Sequence, residues 1–170
     1  MKHRVGLGFD VHPLVPGRPL VLGGVRMDFD KGLAGHSDGD ALLHAVMDAL
    51  LGAAGMGDIG THFPDTDPTY KDAYSLVLLR TVGNWLWGRR FVVVNIDTTV
   101  IAQAPRLAPY IPKMKDRIRV ALGVEPGHIG IKATTTEGLG LLGQGEGIAA
   151  YAVALLEERD VLVEERDEAI

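Results

Sequence analysis

The chain has 170 residues, a formal net charge of -5, 46% hydrophobic and 23% charged residues, and no cysteine. That length and composition fit one globular domain with a sizeable core. The acidic balance argues against nucleic-acid binding through a basic surface. No apolar run reaches the roughly 18 residues of a membrane helix, and without thiols any metal must be held by histidine, carboxylate or water. Phosphorylated small molecules remain open as ligands, because cations and backbone N–H groups can offset their charge. The basic start Met1-Lys2-His3-Arg4 leads into a strand, not into a signal-peptide core, so a soluble cytoplasmic protein is expected.

From His3 to His12 small and apolar residues alternate, which predicts a buried first strand ended by Pro13. Asp10 and His12 then project on the same side, about 7 Å apart along the backbone. Pro19 to Met27, with Gly23-Gly24 at its centre, predicts a hairpin at an edge. The stretch Gly35 to Gly55 follows and predicts a helix with Leu42, Leu43, Val46 and Leu50 toward the core. Asp40, His44 and Asp48 fall at i, i+4, i+8 on the other face. Ser37 or Asp38 can cap its start and Gly55 its end.

The run Gly57 to Pro68 is too rich in Gly, Pro and Asp for regular structure and predicts a loop. A second helix is expected over Thr69 to Trp87, with Tyr74, Val77, Leu78, Val82, Trp85 and Leu86 on its inner face. Phe91 to Gln103 has the β-branched richness of a central strand, broken by Ala104-Pro105. A third helix runs to about Leu122 with Pro109 in its first turn, and Gly127 to Thr134 is another strand. The Gly- and Thr-rich segment 134–147 can approach a phosphate through backbone N–H groups and hydroxyls. Periodicity leaves Ile148 to Leu156 between strand and helix; a strand completes a sheet. The expectation is one α+β domain over residues 1–157, a mixed, roughly four-stranded sheet covered by helices on one face, followed by a charged tail over 158–170.

Asp10, His12 and His44 have the composition of a three-ligand zinc site with an open fourth position. The residues alone leave a second reading, in which Asp10 only fixes a histidine tautomer. A Ser-His-Asp hydrolase is disfavoured because Gly35-His36-Ser37 lacks the Gly-x-Ser-x-Gly elbow. Asp40 and Asp48 read equally as support for the helix that carries His44 and as solvated surface.

Taken together, five separated motifs resemble the 2-C-methyl-D-erythritol 2,4-cyclodiphosphate synthase family, in order along almost the whole chain. They are Gly8-Phe9-Asp10-Val11-His12, His36-Ser37-Asp38-Gly39-Asp40 with His44, Gly57-Asp58-Ile59-Gly60 with Phe63-Pro64-Asp65, Ala102-Gln103-Ala104-Pro105, and Lys132-Ala133-Thr134-Thr135-Thr136-Glu137. The resemblance implies a homotrimer with sites between subunits and sheets lining its interior. Its reaction closes a cytidyl diphosphate substrate into a cyclodiphosphate with release of CMP, in non-mevalonate isoprenoid synthesis. It implies zinc or a similar ion on Asp10, His12 and His44, and magnesium or manganese on Glu137.

By the same resemblance His36 and Thr135 have catalytic roles, and His36, Ser37 and Asp58 position the erythritol and phosphate groups. Ile59, Gly60, Phe63 and Asp65 extend that contact surface, to which Asp10 and His12 also belong. Thr134, Thr135, Thr136 and Glu137 contact the nucleotide phosphates. Ala102, Gln103, Ala104, Pro105, Arg106, Leu107 and Ala108 cradle the cytosine.

One position departs from the resemblance. Where many relatives have an arginine that holds an isoprenoid diphosphate on the trimer axis, this chain has Gln144, which lacks the guanidinium fork a diphosphate requires. Calorimetry is therefore expected to show weak or no binding of geranyl diphosphate. Tight binding that disappears in Gln144→Ala would contradict this.

Overall fold

A computed structural model describes residues 2–159. Strand β1 (Lys2–Pro16) is followed by the short strands β2 (Leu20–Leu22), β3 (Val25–Met27) and β4 (Lys31–Leu33). Helices α1 (Ala41–Ala54) and α2 (Ile59–His62), a 3-10 turn (Pro68–Tyr70) and helix α3 (Ser75–Gly88) come next. The chain continues through β5 (Phe91–Ile101), α4 (Ile111–Leu122), β6 (Ile129–Thr134), α5 (Gly140–Gly143) and β7 (Gly147–Glu158). The main sheet has the order β4-β1-β7-β5-β6, and β2-β3 forms a separate ribbon. Only the β5/β6 pair is parallel, so the sheet is mixed as expected. It has five strands where about four were expected, because the three-residue β4 extends the β1 edge. Segment 148–156, ambiguous by periodicity, lies within the central strand β7.

The first strand corrects a sequence expectation. Its buried positions are Gly6 and Gly8, whereas Val5 and Leu7 are 68% and 67% exposed and Phe9 and Val11 are about half exposed. The glycines face α1. A Cβ on Gly8 would overlap the Ala45 carbonyl oxygen, and one on Gly6 the Ala49 carbonyl oxygen. Their partners across the ladder are Ala152 and Ala154, so a stripe without bulky side chains lets the helix backbone rest on the sheet. Two residues of strand and four of helix both advance about 6 Å. The register that sets Gly6 against Ala49 and Gly8 against Ala45 therefore brings Asp10 beside the first turn of α1, where His44 lies.

Helix α1 is buried on nearly every side, not on one face. Asp48 is half-buried, Gly52 is exposed, and all its other residues are buried. The N-cap is Asp40, not Ser37 or Asp38. Its carboxylate accepts the Leu43 N–H at 3.1 Å and, across the fold, the Gly23 and Gly24 N–H groups at 2.9 and 2.7 Å. Those two glycines have φ of +57° and +69°, the left-handed pair of the tightest hairpin turn. Complete burial, reinforced by the charge of Asp38, raises the Asp40 pKa, and the three N–H groups offset this only in part. Asp48 accepts the Ile59 N–H at 2.8 Å and so ties α2 to α1. Neither acid is solvated surface.

Other boundaries shift for local reasons. The Asp67 side chain caps the 3-10 turn through the Thr69 N–H, so the second long helix begins at Ser75, not Thr69. Its buried residues are Ser75, Leu78, Leu79, Val82 and Leu86, while Tyr74 and Val77 are exposed. The expected loop holds the four-residue α2. Pro112, not Pro109, occupies the first turn of α4. From residue 160 onward the expected charged tail lies outside the described residues, and Glu158 still pairs within β7. No helix among the described residues is long and apolar enough to cross a membrane.

The glycine stripe is testable by paired substitutions in denaturant unfolding. Gly8→Ala is expected to destabilise by about 3 kcal/mol or more, because backbone atoms cannot give way as side chains do. Gly52→Ala, with no atom within 4 Å of the added methyl, is expected to stabilise by about 0.5–1 kcal/mol.

Candidate metal centre and substrate pocket

Alternation along β1 puts the side chains of Asp10 and His12 on the helix side of the strand, where they meet His44. Asp10 Oδ2 is 2.9 Å from His12 Nε2 and 3.0 Å from His44 Nδ1, and the two ring nitrogens are 3.1 Å apart. A tetrahedral ion with bonds of about 2.0–2.1 Å holds its ligand atoms about 3.3 Å from one another. This triangle needs little expansion to fit. Among the described residues it is the group of three His or carboxylate side chains whose donor atoms converge. The far side of each ring is occupied. His12 hydrogen-bonds the Ala34 backbone, and Nε2 of His44 has the hydroxyls of Ser37 and Ser75 at 3.1 Å each. Both rings thus present their remaining nitrogen to Asp10, as metal ligation requires.

The electrostatics favour a cation. Burial works against the Asp10 charge, but the hydrogen bonds from His12 and His44 outweigh it and hold the carboxyl far below the usual carboxylate range. Burial likewise works against a charged His12, and the hydrogen bond and charge of Asp10 outweigh it, so its pKa lies above the ordinary value. A carboxylate that attracts a proton onto the neighbouring His12 imidazole attracts a divalent ion in the same way.

The triad forms one wall of a pocket of about 390 Å³. Of the residues expected from sequence, His36, Ser37, Ile59, Gly60, Phe63 and Asp65 line it together with Asp10, His12 and His44. The His36–Asp38 segment is held against the start of α3. The His36 carbonyl accepts the Asp72 N–H at 2.9 Å, and the Asp38 N–H donates to the Ala73 carbonyl at 3.2 Å. From the opposite side Arg18 donates to the carbonyls of Gly35 and Ser37 at 3.2 and 2.9 Å. Phe63 stacks on Trp85 with ring centroids 5.4 Å apart and meets the Tyr70 edge at 5.3 Å. Asp58 caps α2 by accepting from the Thr61 N–H and hydroxyl, both at 2.8 Å, which lowers its pKa. It orients Ile59 and Gly60 but is not itself a wall of the pocket.

The remaining expected residues form a second cluster. Because β5 and β6 are parallel, their carboxyl ends open side by side: Ile101 pairs with Thr134, and the Ala102 N–H donates to the Thr134 carbonyl at 3.0 Å. Ala102 to Ala108 and Thr134 to Glu137 therefore emerge as neighbouring loops. The Thr135 hydroxyl donates to Glu137 Oε1 at 2.9 Å and accepts the Glu137 N–H at 3.1 Å, around a Glu137 φ of +53°. Across the ladders Asp10 is level with Ala150 and Val100, so this cluster shares the triad's end of the sheet. It lies two to three strands away, about 10–14 Å. None of its residues lines the triad pocket within this chain, and Glu137 stands apart from the triad.

Sequence reasoning missed Met47, Tyr70 and Leu78 in the pocket wall, Arg18 behind the His36 loop, and Ser75 behind His44. Ser75 carried one signal, a polar residue at a position where an apolar face was expected to begin. Arg18 carried none, since its contacts are to backbone far along the chain.

Residues 3–157 match the YgbB family. The 2-C-methyl-D-erythritol 2,4-cyclodiphosphate synthase of Pelotomaculum thermopropionicum is 62% identical over 153 residues, covering 90% of this chain and 94% of that protein. The synthase of Moorella thermoacetica is 60% identical over 157 residues, covering 92% and 96%. Among solved structures, the Plasmodium falciparum IspF CDP complex superposes with a TM-score of 0.82 at 31% identity, covering 93% of this chain and 97% of that one. With a match across nearly all of its length, this chain belongs to the YgbB family.

Proposed function

We propose that this chain converts 4-diphosphocytidyl-2-C-methyl-D-erythritol 2-phosphate to 2-C-methyl-D-erythritol 2,4-cyclodiphosphate and CMP, in non-mevalonate isoprenoid precursor synthesis. The observation that carries this reading is the convergence of Asp10, His12 and His44 in a pocket walled by the phosphate-positioning segment His36-Ser37. It is supported by relatives named for this synthase and by a structural neighbour described with CDP. As a reaction it is a cyclising phosphorus-oxygen lyase step. A 2-phosphate oxygen forms a bond to the β-phosphorus, and the bond from that phosphorus to the bridging oxygen breaks, its electron pair leaving with CMP.

The nucleophile is already anionic, so the protein needs no activated side chain of its own. Its task is to hold both ends of one flexible molecule in line. His36, Ser37 and the α2 segment grip the methylerythritol end, and Asp65 reaches in from the following loop. The Ala102–Ala108 loop receives the cytosine. The segment Thr134, Thr135 and Thr136 takes the nucleotide phosphates through nearby backbone N–H groups and through hydroxyls that turn to them from their present acceptors, Thr135 O, Glu137 Oε1 and Leu139 O. His36 and Thr135 are the catalytic positions, each touching a reacting phosphate group. Asp10, His12 and His44 would hold zinc or a similar ion. Glu137, a lone carboxylate of the kind that holds magnesium or manganese together with substrate phosphates, would hold a second. Bound there, the two ions supply charge neutralisation and Lewis-acid polarisation of the diphosphate.

The two clusters lie about 10–14 Å apart within one chain, and the exposed apolar strip of Val5, Leu7, Phe9, Val11, Tyr151 and Val153 invites burial against other copies. A cytoplasmic homotrimer, with the cytidine loops of one subunit completing the metal pocket of the next, satisfies both. Sedimentation is expected to give the mass of three chains, and Leu7→Glu is expected to yield monomer; a monomeric wild type would overturn the assembly.

The activity is tested by incubating the protein with the cytidyl substrate and divalent ions and resolving the phosphorus products. The cyclodiphosphate and CMP are expected in equal amounts, whereas an acyclic product would show that water is the nucleophile. His44→Ala and Asp10→Asn are expected to lower CMP release by at least about 100-fold and to abolish tight metal uptake. In the wild type a proton and the ion compete for His12. Because its pKa is raised, apparent metal affinity should fall about tenfold per pH unit once the pH drops below that value.

A further inference from the structure

Arg18 lies on the turn between β1 and β2, outside both the pocket wall and the triad. Its two terminal guanidinium nitrogens each donate to a backbone carbonyl, Nη1 to Gly35 at 3.2 Å and Nη2 to Ser37 at 2.9 Å. Those carbonyls bracket His36, whose own carbonyl accepts the Asp72 N–H. Three consecutive carbonyls are thus held, two of them by one side chain. The backbone of Arg18 is seated as well: with that of Pro19 it presses on Gly32 of β4, where a Cβ would overlap the carbonyl oxygens of both residues. Among the described residues no carboxylate pairs with the guanidinium. Its charge, which a guanidinium keeps at any working pH, acts on the His36 segment.

We propose that Arg18 is a positioning residue of the reaction: its fork fixes the peptide units around His36 and Ser37, so that both residues meet the substrate phosphate from a rigid backbone. The backbone bonds on the other side of the segment run to Asp72 and Ala73, and Arg18 closes the clamp across it. In a planar trans peptide the N–H points opposite to the carbonyl. With the Gly35 carbonyl turned to Arg18, the His36 N–H points away from it, and no acceptor among the described residues takes that N–H. The guanidinium also polarises this peptide, which strengthens the N–H as a donor to an anion. A lysine could not replace it, because an ammonium lacks the planar fork that reaches two carbonyls at once.

The inference rests on the proposed reaction, and two readouts keep the two apart. The first is CMP release from the cytidyl substrate, with divalent ions present, by wild type, Arg18→Ala and Arg18→Lys. Arg18→Ala is expected to lower kcat about 10- to 100-fold with a smaller change in KM, to bind zinc as the wild type does, and to regain activity with millimolar guanidinium chloride but not with ammonium chloride. Arg18→Lys keeps the charge and serves if the alanine variant does not fold; it is expected to be impaired as well. The second readout is amide hydrogen exchange without substrate. The Asp38 and Asp72 N–H groups, which tie the segment on its other side, are expected to exchange about tenfold faster in both variants. Wild-type kcat in a folded variant, no rescue by guanidinium, loss of zinc binding together with activity, or unchanged exchange of these amides overturns the role of Arg18. A wild type that releases no CMP overturns the proposed reaction, and exchange still decides whether Arg18 holds the segment.

Discussion

The backbone of β1 lies directly against the backbone of α1 because Gly6 and Gly8 have no side chains to hold them apart. Every feature of the metal centre depends on that contact. A methyl group at either position would lift the helix from the sheet, and a displacement of about 1 Å is enough to spoil a three-ligand geometry. Ala150, Ala152 and Ala154 on β7 continue the same low surface, so the helix is seated on two strands at once.

The cost of that close approach is a helix with almost no solvent face, which must satisfy its polar groups internally. The sequence meets this with acids that each bind backbone. Asp40 caps α1 and pins the Gly23-Gly24 turn, Asp48 pins α2, and Asp38 pins the start of α3. Three neighbouring elements are thus fastened to the helix that carries His44 or to the loop that leads into it. The pocket inherits its rigidity from this arrangement, since its walls are the segments those acids hold.

Charge is distributed with the same economy. An acidic chain that binds a polyanionic substrate needs cations, and the Asp10-His12-His44 triangle supplies a place for one without any thiolate. The exposed face of the sheet is the complement of the buried one: the side chains excluded from the helix side, Val5, Leu7, Phe9 and Val11, form the apolar surface on the other. One alternating strand sequence therefore encodes both the seat of the Asp10-His12-His44 group and an exposed apolar surface.

Much of this was legible in the chain itself. Strand alternation set Asp10 and His12 on one side, Gly23-Gly24 specified the hairpin, Gly55 closed α1, and the spaced motifs identified the family and singled out Asp10, His12 and His44, which the fold brings together. These are local rules or exact residue identities, which a sequence states directly. What it could not state is what faces what. Alternation of small and apolar residues did not reveal that the glycines, not the valines and leucines, are the buried set. The i, i+4, i+8 stripe of Asp40, His44 and Asp48 gave no sign that the polar face is buried under loops from elsewhere. The placement of Asp38 and Ser75 behind His44 was equally invisible, because it joins a loop and a helix start 37 residues apart. Those pairings are long-range contacts chosen by packing, and only the tertiary structure decides them.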